Sequence, residues 1–108
     1  MKDNQALIVV DVQKDFLETG ALPVKDGSQV VPVINRISPK FKHVVFTQDW
    51  HPQGHISFAS SHLGKAPYST IDVSYGKQVL WPEHCVQNTV GAEFADGLNT
   101  ENGDCFVK

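Results

Sequence analysis

One short stretch of the sequence concentrates side chains that bind divalent metals. Residues 47–58 read TQDWHPQGHISF and contain Asp49, His51 and His55. Asp49 and His51 are two positions apart, so in extended backbone both side chains point to the same side. The intervening PQG lets the chain turn back before His55. One carboxylate with several imidazoles suits Zn²⁺, Fe²⁺ or Mn²⁺. A solvated polar loop is the alternative, and spacing alone does not separate the two interpretations.

Two further histidines, His62 and His84, are both candidates for another ligand. Cys85 follows His84 directly, which suggests a cysteine–histidine nucleophile pair. Adjacent side chains in extended backbone point apart, however, so this pair is poorly arranged. We therefore predict that Cys85 is a buried structural thiol and that Cys105 belongs to the core.

Three short apolar segments are typical of buried strands in a parallel sheet: ALIVV (6–10), HVVFT (43–47) and DCFVK (104–108). Helical spacing of apolar residues predicts a helix from about Ser28, with Ser28 as its cap and Pro32 in its first turn. The region from Trp50 to about Thr100 has no sustained period, apart from a possible helical turn at GAEFADGL. A long irregular segment of this kind is usually functional or disordered, and its aromatic residues and histidines favour function.

Each predicted strand delivers a charged residue to one edge of the sheet, where parallel α/β folds bind ligands. These residues are Asp11, Asp49 and Lys108. Asp11 is a candidate general base, and Lys108 could pair with it across neighbouring strands. The alternatives are a capping aspartate and a solvated terminal lysine. Three more residues, in or near loops that should border this crevice, are either packing residues or walls of an aromatic pocket: Phe16, Leu22 and Trp81.

Composition limits the classes of function. The chain has 108 residues, of which 41% are hydrophobic, and a formal net charge of −3. These values indicate one small globular domain without the basic surface that nucleic acids require. The longest apolar run, Ala6–Val10, is far shorter than a membrane span. Two cysteines without an export signal predict a reducing, cytoplasmic compartment.

The predicted elements do not complete a layered α/β domain. Three parallel strands with about one good helix leave one sheet face and one edge uncovered. We therefore expect residues 1–108 to be a portion of a domain, completed by more polypeptide in cis or from another chain.

Together these segments resemble the nicotinamidases of the isochorismatase-like cysteine hydrolase superfamily, in particular their N-terminal half. The similarity runs from ALIVVDVQKDF through VVFTQDWHPQGHISF and LWPEHCVQNTVGAEF to the terminal VK. It implies a three-layer αβα fold with a parallel sheet, incomplete in this chain. It also implies hydrolysis of nicotinamide, or of similar pyridine carboxamides, to the acid and ammonia, a step of NAD salvage.

The resemblance assigns roles to the candidate residues. Asp11 matches the catalytic aspartate and Lys108 the catalytic lysine, while Phe16, Leu22 and Trp81 match the substrate-ring pocket. One divalent ion is expected, Zn²⁺ before Fe²⁺ or Mn²⁺, and its waters and the ion help bind the pyridine nitrogen. The matching ligands are Asp49, His51, His55 and His84, which leaves His62 outside the site.

One feature of the superfamily is absent from this sequence. Neither Cys85 nor Cys105 stands in the motif of the nucleophilic cysteine, which implies that the 108-residue chain alone is inactive. Two alternatives remain: a metal-binding but catalytically incomplete fragment, and a related cysteine hydrolase acting on another small amide. The sequence does not give the oligomeric state, and a homo-oligomer is compatible with it.

Overall fold

A computed structural model describes residues 2–108. The chain forms five strands and one α-helix, joined by loops and 3₁₀ turns. In chain order these are β1 (Lys2–Val10), α1 (Val30–Ile37), β2 (Phe41–Thr47), β3 (Thr70–Val73), β4 (Gly76–Val79) and β5 (Cys105–Val107). The first, second and fifth strands form one sheet in the order β1-β2-β5, and β3 and β4 form a separate hairpin.

The three-stranded sheet is parallel throughout, which confirms the predicted α/β class. Val10 pairs with Thr47, and Thr47 pairs with Val107, so all three strands end level with one another. Asp11 and Lys108 therefore leave the sheet at the same edge, as predicted. The strands that precede them are not neighbours, however, because β2 lies between β1 and β5. The expected pairing across neighbouring strands was wrong.

The helix α1 covers one face of this sheet. Val31 of the helix is buried in one cluster with Val9, Val44 and Phe46, and Ile34 packs against the same cluster. Pro32 lies in the first turn, as predicted, where its missing N–H leaves no helical bond unmade. This packing, rather than intrinsic propensity, stabilises so short a helix.

The predicted cap of this helix was wrong. Ser28 belongs to a 3₁₀ turn, Gly27–Gln29, that precedes α1. Its hydroxyl donates a hydrogen bond to the Glu18 carboxylate at 2.6 Å, and Glu18 also accepts the Ser28 N–H at 2.9 Å. Ser28 therefore links the helix entrance to the preceding loop instead of capping the helix.

The opposite face of the sheet is open within residues 2–108. Val9 is 3% exposed, whereas its neighbours Ile8 and Val10 are 60% and 64% exposed. Successive side chains of a strand alternate between faces, so α1 can bury only every second residue of β1. The prediction of an uncovered sheet face is confirmed for this part of the chain.

The hairpin β3–β4 was not predicted from the sequence. Its strands are four residues each, and Thr70 pairs with Val79 while Val73 pairs with Gly76. The remainder of the predicted irregular region has isolated bridges and 3₁₀ turns, including Val90–Ala92 close to the expected helical turn. In the described range 2–108, no helix is long and apolar enough to cross a membrane.

The two cysteines occupy different environments and are not joined. Cys85 is fully buried, as predicted, and burial raises the pKa of its thiol to about 12, with the nearby carboxylates acting in the same direction. Cys105 is exposed at the start of β5, so its assignment to the core was wrong. It begins an edge strand in which all three residues are exposed.

These environments predict selective alkylation of the thiols. In the folded protein, iodoacetamide at pH 8 should modify Cys105 rapidly and Cys85 far more slowly, because only a solvent-accessible thiolate reacts. Peptide mass spectrometry over time measures both rates. Cys105→Ser is the control, since it should leave almost no fast-reacting thiol. Equal rates for both cysteines in the folded parent would contradict the placement of Cys85.

Candidate metal centre and active site

Three of the predicted ligands converge beyond the carboxyl end of β2. Asp49, His51 and His84 each offer a ligand atom, and these atoms lie within 4.8 Å of one another. The Asp49 carboxylate lies between the two imidazoles, 3.5 Å from His51 Nε2 and 3.4 Å from His84 Nε2. One carboxylate oxygen and two imidazole nitrogens are a donor set that Zn²⁺ and similar divalent ions accept.

Backbone carbonyls determine the tautomer of both imidazoles. His51 Nδ1 lies 3.1 Å from the His84 oxygen, and His84 Nδ1 lies 2.7 Å from the Pro82 oxygen. A carbonyl oxygen only accepts, so each Nδ1 carries the proton and each Nε2 keeps its lone pair. Burial also lowers the pKa of His51, although the nearby charge of Asp49 acts in the opposite direction. The lowered pKa favours the neutral ring, which is the form that binds metal.

His55 lies near these ligands but outside the group of three. Its ring centroid is 5.0 Å from that of His51. Its Nδ1 accepts the Ser57 N–H at 3.1 Å and lies 2.7 Å from the Ser57 hydroxyl, so in the neutral ring the proton is on Nε2. A role for His55 as a ligand therefore remains a prediction, and it requires this local hydrogen bonding to change. His62 is bound to the Ile56 carbonyl through Nε2 at 2.7 Å.

The rings of two phenylalanines pack against the imidazoles of the ligand cluster. Phe58 is fully buried, and its ring lies 5.0 Å from His51 and 5.6 Å from His84, measured between centroids. Phe16 approaches His84 edge-on at 5.6 Å, which places this predicted pocket residue beside the cluster. Phe58 was not singled out from the sequence, although its position in HISF, three residues after His55, was visible there.

The hydrogen bonds and ring contacts of the other two predicted pocket residues are with residues outside the ligand cluster. Trp81 packs edge-to-face against Tyr68, and its backbone is hydrogen bonded to Ser57 and Ala59. The Leu22 N–H donates to the Asp15 carbonyl oxygen at 2.9 Å. These contacts place both residues in loops near the ligands without testing a substrate contact, so their roles remain predictions.

Asp11 has a left-handed backbone conformation, and its carboxylate is held by a hydrogen bond. Its φ of 54° lies in the left-handed region, where residues other than glycine are uncommon. The Thr47 hydroxyl donates to the carboxylate at 2.5 Å and accepts the Asp11 N–H at 3.1 Å. The last residue of β2 therefore orients the side chain that follows β1, a role that the sequence did not reveal.

Lys108 contacts an aromatic ring instead of Asp11. Its ammonium nitrogen lies 4.2 Å from the ring centroid of Trp50, a cation–π geometry. Among residues 2–108, no ion pair joins Asp11 to Lys108. The catalytic role of Lys108 therefore remains a prediction, and Trp50 is the contact that holds its side chain over the sheet edge.

Two further side chains, Gln13 and Asp15, reach into the site from the segment after β1. The fully buried carboxamide of Gln13 bonds both backbone groups of Asp49: it accepts the N–H at 2.8 Å and donates to the carbonyl at 2.9 Å. The Asp15 carboxylate accepts the Cys85 N–H at 2.8 Å, next to His84. The sequence showed both as polar neighbours of Asp11, without a sign of their distant partners.

Two cavities lie near these residues. One of about 140 Å³ is lined mainly by apolar groups and includes Asp11 and Phe16. The other, of about 460 Å³, has none of the predicted site residues in its lining, which includes Gln53, Glu83 and Gln87. The smaller cavity combines an apolar wall with the candidate base Asp11, and the lining of neither cavity includes a residue of the ligand cluster.

Comparisons with known proteins find relatives of this chain. A curated nicotinamidase of Acinetobacter baylyi is 50% identical over 106 residues, covering 98% of this chain and 50% of the relative. A solved nicotinamidase of Acinetobacter baumanii has a TM-score of 0.93 and 49% identity, over 98% of this chain and 51% of its own. A pyrazinamidase of Pyrococcus horikoshii, solved in complex with zinc, has a TM-score of 0.68 and 43% identity, over 93% and 49% of the two chains.

This chain spans about half the length of the relatives that it matches, as the resemblance implied. The family model described as the isochorismatase domain matches residues 5–108. With nearly every residue inside that match, the chain belongs to the isochorismatase domain family.

Proposed function

We propose that this protein is an amidohydrolase that converts nicotinamide to nicotinate and ammonia. In this proposal residues 1–108 are the N-terminal portion of one hydrolase domain, and the nucleophilic cysteine is outside them. The observation that carries the proposal is the cluster of Asp49, His51 and His84, beyond the sheet edge where Asp11 follows β1, in a chain 50% identical to a nicotinamidase.

The donor set fits a divalent metal ion. Two imidazoles, each held by a backbone carbonyl, present unprotonated Nε2 atoms towards the Asp49 carboxylate, and Gln13 holds the backbone of Asp49. Asp49, His51 and His84 would hold the ion, with His55 as a further ligand. Zinc in the Pyrococcus horikoshii structure supports Zn²⁺, although Fe²⁺ and Mn²⁺ suit the same donors. When bound, the ion and its waters supply an anchor for the pyridine nitrogen.

The residues of this chain supply proton transfer and orientation. Asp11 accepts the proton of the attacking thiol, whose sulfur forms a bond to the carboxamide carbon. As the carbon–nitrogen bond breaks, Asp11 returns that proton to the departing ammonia, and water then hydrolyses the thioester to release the acid. Lys108 balances the negative charges of the aspartate and thiolate, and Phe16 contacts the substrate ring.

The nucleophile is assigned outside the chain because neither cysteine suits the reaction. The thiol of Cys85 has its pKa raised to about 12 by burial, and Cys105 is exposed at the start of an edge strand. This same observation favours the second candidate, a metal-binding chain without catalysis. A cysteine hydrolase acting on another small amide is a further alternative.

Cytoplasmic localisation remains a proposal, supported by two free thiols.

Replacement of the proposed ligands should remove the metal. We expect His51→Ala and His84→Ala to lose most of the bound divalent ion, and His55→Ala to weaken binding, because each removes an imidazole from the site. Metal content after dialysis, measured by inductively coupled plasma mass spectrometry, tests this. His62→Ala is the matched control and should keep the metal. Equal metal content in all four variants would show that the ligand assignment is wrong.

Ammonia release tests the reaction itself. The protein, expressed from its whole gene or mixed with a complementary segment that carries a cysteine, should release ammonia from nicotinamide. Asp11→Asn should lower kcat by about 10²–10⁴-fold, because proton transfer by a positioned side chain contributes that much. Metal binding without ammonia release from nicotinamide would support the non-catalytic alternative, and release only from other amides would support the third candidate.

A further inference from the structure

The segment that follows β1 contacts both parts of the metal centre. We define the anchor segment as residues 11–15, with the sequence DVQKD. We infer that Gln13 and Asp15 are positioning residues, which fix the Asp49 and His84 segments relative to each other and to Asp11. This inference rests on the proposed metal site, and it adds two residues that do not themselves touch the ion.

The Gln13 carboxamide bonds the backbone of Asp49 in the way that the peptide group of a neighbouring strand would. Its Oε1 accepts the Asp49 N–H at 2.8 Å, and its Nε2 donates to the Asp49 carbonyl at 2.9 Å and to the Ala92 carbonyl at 2.8 Å. The side chain is fully buried, so these three bonds replace water entirely. Only a carboxamide of this length provides an acceptor and two donors at these points. Gln13 therefore sets the position and rotation of the Asp49 backbone.

Asp15 acts on the other ligand segment through Cys85. Cys85 has a φ of 47°, a left-handed conformation that costs free energy for a residue with a side chain. The Asp15 carboxylate accepts the Cys85 N–H at 2.8 Å, and charge-assisted bonds of this kind are among the stronger ones. This bond stabilises the turn from which His84 projects its ring towards Asp49.

Gly91 makes room for that carboxylate. A Cβ atom built at Gly91 would overlap the carboxylate of Asp15 itself. No other side chain is therefore tolerated at this position unless Asp15 moves. The backbone of the 3₁₀ turn Val90–Ala92 thus closes the pocket in which Asp15 receives the Cys85 N–H.

The anchor segment is itself fixed by backbone pairing. The Lys14 N–H donates to the Glu93 carbonyl at 2.9 Å, and the Ala95 N–H donates to the Val12 carbonyl at 2.9 Å. Gln13 thereby forms a bridge with Phe94. The backbone on both sides of Gln13 is therefore fixed. A change in the side chain of Gln13 or Asp15 is then expected to shift the ligand segment that it bonds.

Cobalt titrations test this inference with a spectroscopic readout. The d–d absorption bands of Co²⁺ report ligand geometry, and their growth gives the dissociation constant. In the purified protein, Gln13→Met and Asp15→Ala should weaken Co²⁺ binding by about 10–100-fold, the range typical for outer-shell partners of metal ligands, and should alter the bands. Asp15→Asn keeps an oxygen for the Cys85 N–H, so its affinity should lie closer to that of the parent.

Gln48→Met is the matched control. Gln48 is adjacent to Asp49 and its Nε2 also donates to the Ala92 carbonyl, at 3.2 Å, but its side chain makes no bond to Asp49. The control should keep the affinity and the bands of the parent. If Gln13→Met does not fold by circular dichroism, Gln13→Asn replaces it, because it keeps a carboxamide but is one methylene too short to bond both backbone groups of Asp49.

The outcomes separate the two proposals. A parent that binds no Co²⁺ would overturn the metal site and this inference together. A parent that binds Co²⁺, with folded Gln13→Met and Asp15→Ala variants of equal affinity and unchanged bands, would overturn the inference alone. So would an equal loss in Gln48→Met, since that pattern reflects general destabilisation. Weaker binding and altered bands in the anchor variants, with rescue by Asp15→Asn, would support it.

Discussion

The level ending of three parallel strands is the constraint on which the site depends. Parallel pairing without an offset at the carboxyl end places Val10, Thr47 and Val107 in one row. The residues that follow have no further strand to pair with, so their side chains are free to converge. Thr47 shows how close this convergence is, because its hydroxyl bonds the carboxylate of Asp11 from the adjacent strand. A slip of one residue would turn every side chain of a strand to the other face.

The ligand cluster depends on a second layer of hydrogen bonds. The rings of His51 and His84 are each oriented by a backbone carbonyl at Nδ1, and the buried carboxamide of Gln13 holds the backbone of Asp49. Such partners fix both the direction and the tautomer of a ligand, and they commonly matter almost as much as the ligands do. The buried ring of Phe58 completes the support by limiting the rotation of the imidazoles.

Much of this arrangement could be predicted from the sequence, for identifiable reasons. The strands β1, β2 and β5 have dense apolar runs, and α1 repeats apolar residues at helical spacing, so local pattern was sufficient. The hairpin β3–β4 was missed because its strands are short, largely exposed and joined without a typical Asn-Gly turn. Cys105 was misassigned because an apolar run does not show whether a strand lies at an edge. Strand order, which separated Asp11 from Lys108, also has no local signature.

The long chain separations at the site have a consequence for folding kinetics. Gln13 meets Asp49 across 36 residues and Ala92 across 79, and Asp15 meets Cys85 across 70. Each contact requires closure of a long loop before it contributes any free energy, and non-local contacts of this kind form slowly. The ligand geometry is therefore expected to appear late, after the helix and the local turns. Native spectroscopic behaviour at the metal centre would then report completion of the whole fold, which makes a bound ion a kinetic probe of the final folding step.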